Sequence, residues 1–314
     1  MHAVTIRPGA ELVWAEHPNP EPGPHQVLVA VETAGINAAD LLQRQGFYPA
    51  PPGSPPDIPG MEFAGVVLAL GSECRRLAVG DRVMGLLGGG AQAELALADE
   101  DHLMVVPDGV SWPVAGGFVE AYCTAYDALV LQGGLSVGDR VLVTGAAGGV
   151  GTAGVQLAVA AGAEVVASAR HREHHDDLRA LGAEPFVPDE ALTHGPFDLA
   201  LELVAGQGLT GALDALATGG RVVVIGVGAG ARVELDLLKV MQRRAVVRGS
   251  TLRARTAAEK SAVLRPVEAH VVPLLAVGRL TVPVAATFPL AEAAAAYERF
   301  GAGAKFGKVV LTRS

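Results

Sequence analysis

The run Val141-Leu-Val-Thr-Gly-Ala-Ala-Gly-Gly-Val-Gly151, continued by Thr152 to Ala161, decides the fold. Apolar β-formers lead into a glycine-rich turn, and the small residues beyond it suit a helix packed close on a strand. Such a strand, turn and helix can cradle a dinucleotide pyrophosphate, because glycines admit the ligand and unpaired N–H groups at the helix start face its charge. Ala146 stands where the first glycine of G-x-G-x-x-G would be, with Gly148 and Gly151 in place. The same turn also suits plain packing of strand on helix, so the rest of the chain decides between the two.

Beyond Glu120, strand-like and helix-like segments alternate. Strand-like runs fall at Val141 to Val143, Val165 to Ala167, Leu199 to Leu203, Val222 to Ile225 and Ala245 to Val247. Alternation of this kind predicts an α/β domain with a parallel, doubly wound sheet. Earlier in the chain, Pro18-Asn-Pro-Glu-Pro-Gly-Pro24 and Pro49-Ala-Pro-Pro-Gly-Ser-Pro-Pro-Asp-Ile-Pro59 divide short β-like runs, the clearest at Val27 to Glu32, Gly65 to Leu70 and Arg82 to Leu87. They predict a mainly antiparallel β domain. From about Leu252 the tail carries a short helix at Leu290 to Phe300 and a final strand at Lys308 to Thr312, and is expected to rejoin that domain. The predicted division is residues 1–119 with 252–314, and residues 120–251. Gly-Asp-Arg-Val, at Gly80 and again at Gly138, reads as a turn feeding a strand rather than an internal repeat.

The chain has 314 residues, half of them apolar and only 4% aromatic. That length allows two sizeable cores. A formal charge of -9 argues against generic affinity for nucleic acid or an anionic membrane, both of which need basic surface. One local exception, Arg243, Arg244, Arg248, Arg253 and Arg255, reads as a solvated face or a rim attracting an anionic cofactor. Two cysteines, Cys74 and Cys123, supply neither a disulfide framework nor a cysteine metal cluster. Met1 to Glu11 lacks the apolar core of a signal peptide, so a cytoplasmic protein is expected. Val143 to Ala163 carries no charge over 21 residues, enough to span a bilayer. Its six glycines and its strand-like start argue against a span.

Several separate segments together resemble the medium-chain dehydrogenase/reductases, in their zinc-free quinone oxidoreductase or zeta-crystallin-like branch. They are Gly35-Ile-Asn-Ala-Ala-Asp40, Gln43-Arg-Gln-Gly-Phe-Tyr48, Pro59-Gly-Met-Glu-Phe-Ala-Gly65, Gly80-Asp-Arg-Val83, Thr124-Ala-Tyr126, Ala146-Ala-Gly-Gly-Val-Gly151 and Gly307-Lys-Val-Val-Leu311. Gln43-Arg-Gln-Gly46 and Arg248-Gly-Ser-Thr-Leu-Arg-Ala-Arg255 resemble in particular the p53-inducible quinone oxidoreductase subgroup. The resemblance implies a GroES-like mainly β catalytic domain joined to a Rossmann domain, and an oxidoreductase that uses a nicotinamide cofactor.

In the zinc alcohol dehydrogenases that resemble this fold, a cysteine and a histidine of the two N-terminal motifs bind the catalytic metal. Here those places hold Asn37 and Met61. An amide and a thioether are poor zinc ligands, and Glu62 alone cannot make a site. Without a Lewis acid, acceptors already activated by conjugation are favoured, namely quinones and enones. By resemblance, Asn37 and Tyr48 line the nicotinamide and substrate pocket, where Tyr48 donates a hydrogen bond or proton to the reduced acceptor.

The second strand of the α/β domain, Val165-Val-Ala-Ser-Ala169, ends in Arg170-His-Arg172 with no carboxylate. Cations there fit the 2′-phosphate of NADPH, which arginine binds bidentately. The tyrosine that the family often adds after the third strand is missing from Phe186-Val-Pro188. His171, His174 and His175 read as a polar helix face rather than a metal cluster. The resemblance also brings Thr124, Ala147, Gly148, Gly149, Val150, Gly151, Gly226, Val227, Thr251, Leu252 and Lys305 to the cofactor. A homodimer is expected, because the Ala245 to Val247 strand would lie at a sheet edge that relatives pair across a twofold axis. Three functions stay open: an NADPH-dependent quinone reductase, an enoyl or alkenal double-bond reductase, and a non-catalytic structural or RNA-binding relative.

Overall fold

The chain begins with a two-stranded antiparallel ribbon, β1 (His2–Arg7) and β2 (Glu11–Glu16). The computed structural model describes residues 1–313. Two units arise, Met1–Glu120 joined by the chain from Leu252, and Ala121–Thr251. In the first unit the long strand β3 (Gln26–Ile36) is the spine, followed by β4 (Glu62–Leu70), β5 (Arg82–Leu86), β6 (Leu95–Asp99) and β7 (Leu103–Val105). Val27, Val29 and Val31 alternate inward from β3 onto Phe63, Val67 and Leu103. That period of two gives the sheet a buried face and makes its register costly to slip.

The second unit is one parallel sheet. Its strands are β8 (Arg140–Val143), β9 (Glu164–Ser168), β10 (Glu184–Phe186), β11 (Phe197–Glu202), β12 (Leu216–Val224) and β13 (Val246–Gly249). They lie side by side in the order β10-β9-β8-β11-β12-β13. This is the doubly wound dinucleotide-binding order, which reverses direction at its first strand. Val141, Leu142 and Val143 are all buried, as expected where helices cover both faces of a sheet. The uncharged stretch splits into the end of β8, a turn and the helix Gly149–Ala160. Among the described residues no helix is long and apolar enough to cross a membrane.

The tail completes the first unit. β14 (Val284–Pro289) and β15 (Lys308–Thr312) extend its sheet in the order β14-β15-β3-β4-β5-β7, with β6 also paired to β3. The tail also holds a helix that the sequence reading missed, Ala257–His270. Its capping box was legible, since Thr256 and Glu259 satisfy each other's backbone N–H groups. Pro266 inside it masked the helical pattern.

Close packing in the second unit rests on Gly154, where a Cβ would come 2.6 Å from Leu201 Cδ2. Gly154→Val is expected to lower unfolding stability by about 1–3 kcal/mol through overpacking. Gly208, in the helix Gln207–Asp214, has nothing within 4 Å of its Cβ position. Gly208→Ala is expected to raise stability by about 0.5–1 kcal/mol. Urea unfolding followed by circular dichroism measures both.

Candidate active site

The glycine turn of the second unit has the form of a phosphate cradle. Gly145 turns the chain at φ +60°, and a Cβ on Gly151 would lie 2.4 Å from Gly145 O. Gly148 caps the helix Gly149–Ala160 with no side-chain hydrogen bond. The first-turn N–H groups therefore have no capping side chain competing for them. Ala147, Gly148, Gly149 and Val150 are half-buried, whereas Ala146 is buried and donates its N–H to Ser168 O at 3.0 Å. The tight backbone position is thus Gly145, one residue before the alanine that stood out in the sequence. The tight turn needs glycine at 151, and the uncapped helix start behind it is a fit place for a dinucleotide pyrophosphate.

The second unit carries other anticipated residues as well. Thr124 is buried on the helix Val119–Tyr126. Gly226 follows β12, where a Cβ would meet Leu203 O at 2.2 Å, and Val227 beside it is exposed. Thr251 is exposed at the unit's end. Glu202, which sequence reasoning did not single out, is wholly buried at the end of β11. Its Oε1 accepts from Thr144 Oγ1 at 2.7 Å, Val204 N at 2.7 Å and Ala205 N at 2.8 Å. One carboxylate thereby ties the turns after β8 and β11 together.

Arg170 and Arg172 are exposed beyond β9, and Arg172 Nη2 meets Glu190 Oε2 at 3.4 Å. Such a solvated pair is weak and leaves the guanidinium open to a stronger anion. His174 and His175 differ from the expected polar face, since both are buried and His175 Nε2 lies 3.4 Å from Ala169 O. The arginine-rich segment is not uniformly solvated either. Arg243 Nη1 donates to Leu216 O, Arg248 Nη1 donates to Gln132 O, and Arg253 is buried.

In the first unit Asn37 belongs to a buried ionic network. Lys308 Nζ donates to Glu62 Oε1 at 2.5 Å, to Asn37 Oδ1 at 2.6 Å and to Ile36 O at 3.2 Å. Asn37 Nδ2 donates to the same Glu62 oxygen at 3.0 Å. The other oxygen of Glu62 accepts from Glu120 N at 2.9 Å. Lys308 is 3% exposed and Glu62 0%. Charges so enclosed are tolerated because all three ammonium protons and both carboxylate oxygens have partners. The amide plane of Asn37 is accordingly fixed from both ends.

Tyr48 is half-buried in the proline-rich loop, and Leu252 is buried. Burial raises the Tyr48 phenol above its ordinary pKa, while the nearby Arg253 guanidinium pulls it down and Glu120 pushes it up. Asp40 accepts N–H groups from Asn37 and Gly60, yet complete burial lifts its carboxyl from 3.8 to about 6. Lys305 lies over the Phe300 ring at 4.2 Å and donates to Gly307 O at 3.3 Å. Burial, with Lys308 and Arg299 close by, brings its ammonium down to about 8. A hollow of the second unit, lined by Asp214, Glu234, Asp236 and Lys239, lies apart from the glycine turn.

Residues 149–267 match the family described as zinc-binding dehydrogenase, and residues 23–108 match the alcohol dehydrogenase GroES-like domain. Human quinone oxidoreductase is 30% identical over 306 residues, 93% of this chain and 90% of that one. A mycocerosic acid synthase-like polyketide synthase of Mycobacterium tuberculosis is 33% identical over 301 residues, 92% of this chain. The chain spans only 14% of that protein's length. Among solved structures, an alcohol dehydrogenase superfamily protein from Novosphingobium aromaticivorans is 30% identical with TM-score 0.89, each chain covered in full. The quinone oxidoreductase from Coxiella burnetii is 27% identical with TM-score 0.82, covering 100% of this chain and 98% of that one.

The first of those family descriptions implies zinc, and the residues at the resembling positions do not fit it. Asn37 offers an amide already occupied by Lys308, Met61 offers a thioether, and the Glu62 carboxylate is neutralised by an ammonium. A dication placed there would face a buried cation.

Breaking one half of the Lys308–Glu62 pair should cost more than removing both. Lys308→Met and Glu62→Gln are each expected to lower stability by about 3–5 kcal/mol, because each leaves a buried group uncompensated. The double variant should recover much of that loss. Denaturant midpoints for the three variants measure the cycle, and strictly additive losses would show that the pair is not coupled.

Proposed function

The chain belongs to the medium-chain dehydrogenase/reductase family, a family of pyridine nucleotide-dependent oxidoreductases, and on that premise we propose a zinc-independent NADPH:quinone oxidoreductase. The observation that carries the reading is the Asn37–Lys308–Glu62 network, which builds a metal-unfriendly donor set at the family's metal position. An acceptor that takes hydride without a Lewis acid is the consequence. Bound NADPH supplies the hydride.

The chain's own residues bind and orient. Backbone N–H groups of Gly148, Gly149, Val150 and Gly151 hold the pyrophosphate, and Arg170 with Arg172 holds the 2′-phosphate. Thr124, Ala147, Gly226, Val227, Thr251, Leu252 and Lys305 complete the cofactor contacts in this reading. Asn37, its amide fixed by Lys308 and Glu62, presents a set polar face to the acceptor. Tyr48 donates to the oxygen on which charge develops. The assembly is a cytoplasmic homodimer. What supports it is β13, an edge strand exposed along its length, and, on the helix Leu237–Arg243 that precedes it, the exposed Leu237, Leu238 and Met241.

A second reading has a specific observation in its favour. Likeness to mycobacterial polyketide synthases across nearly the whole chain favours an enone or enoyl thioester acceptor over a quinone. The two differ in where the proton matters. A quinone becomes a hydroquinone anion that water protonates readily, whereas an enolate gains from a positioned acid.

Two measurements test these readings. NADPH oxidation should survive EDTA, and Arg170→Ala with Arg172→Ala should weaken NADPH by about 1–3 kcal/mol while leaving NADH nearly unchanged. Equal losses for both cofactors would move the 2′-phosphate elsewhere. Tyr48→Phe should cost enone reduction about 10²- to 10⁴-fold and quinone reduction about tenfold or less. Steady-state kcat/KM on one preparation, with quinones and enones side by side, reads both, and a loss confined to quinones would reverse the role of Tyr48.

A further inference from the structure

Arg253 lies in a segment expected to be solvated, yet it is 3% exposed. All three guanidinium nitrogens are engaged. Nε donates to Gly88 O at 2.7 Å, Nη1 to Tyr48 O at 3.1 Å and Nη2 to Gln43 Oε1. The guanidinium carbon sits 5.1 Å from the centroid of the Tyr48 ring. Gln43, also buried, donates from Nε2 to Pro56 O at 3.1 Å. The proline-rich loop carrying Tyr48 is thus clamped at Tyr48 and at Pro56.

Such a clamp needs hydrogen bonds but not a charge. Burying a cation is costly unless a negative partner compensates it. Here the direct partners are neutral oxygens, and the carboxylates that act on Arg253, Asp40 and Glu120, do so without a hydrogen bond to it. Tyr297, held to Gln92, also acts electrostatically on Arg253, and Lys260 is a second cation that feels both Glu120 and Arg253. The charge left unneutralised by direct contact faces the phenol ring. A planar fork reaches three acceptors and stacks at once, which lysine cannot do.

We propose that Arg253 is the positioning residue for Tyr48, fixing the direction of the phenol and placing beside it the positive charge that makes it a better proton donor. Arg253 itself does not touch the acceptor. This rests on the reading of Tyr48 as donor to the reduced acceptor. A cation next to an acid stabilises the conjugate base, so the proton is released more readily as charge builds on the enolate.

The test is a double-mutant cycle of Tyr48→Phe and Arg253→Met in the full chain, with enone reduction and phenolate absorbance as separate readouts. Arg253→Met should lower enone kcat about tenfold to a hundredfold with the KM for NADPH unchanged. In the Tyr48→Phe background it should cost nothing more. The Tyr48 titration, taken as the difference between chains with Tyr and Phe at 48, should move to higher pH when Arg253 is removed. Losses that multiply, or a Tyr48 titration that does not move, overturn the proposal. If Tyr48→Phe leaves enone reduction intact, the donor reading fails, and the titration alone then decides whether Arg253 acts on Tyr48. Should Arg253→Met not fold, Arg253→Lys carries the cycle, with a smaller loss and the same absence of effect in the Phe background.

Discussion

The ion pair between Lys308 and Glu62 is the constraint on which the first unit depends. Neither side chain reaches water, so every donor and acceptor must be met inside the protein. Meeting them draws together the ends of β3, β4 and β15, with Asn37 as the bridge between the two charges. It also dictates a glycine. A Cβ on Gly35 would lie 2.3 Å from Glu62 Oε1 and 2.8 Å from Gly116 O. The Gly35-Ile-Asn37 motif is therefore spatial as much as chemical: the glycine clears the carboxylate that orients the amide two residues on.

Legibility in the sequence followed the range of the forces involved. The parallel sheet was readable because its signals are local, namely short β-branched runs, glycine punctuation and helical spacing between them. Its strands fall within one or two residues of the expected limits at β8 and β9. β12 begins earlier, at Leu216, because pairing with β11 recruits residues whose own propensities are weak. The helix Ala257–His270 escaped notice because its proline contradicted a pattern that its cap announced.

The site was legible only in pieces. Asn37 and Tyr48 were visible through motifs, but nothing local marks Lys308 as the partner of Glu62, 246 residues away. Arg253 looked like one more surface cation because composition cannot distinguish an arginine in water from one folded under a loop. His174 and His175 misled for the related reason that a histidine is at home on either side of a helix. Arg170 and Arg172 stood out because they lie together in the chain. Burial and long-range pairing are properties of the fold, and they appear once it is drawn.

The first unit is assembled from two stretches of chain with the whole of the second unit between them. During synthesis, Asn37 and the Glu62 carboxylate emerge long before the ammonium that neutralises them. β3 likewise waits for β15, which pairs with it from Thr33 to Ile36. Ala121–Thr251 is contiguous and can close its sheet in the meantime. The first unit's sheet can therefore be completed only after the residues of the second unit have been made. The sheet begun first is sealed last, when β15 delivers a single lysine to a charge that has been waiting for it.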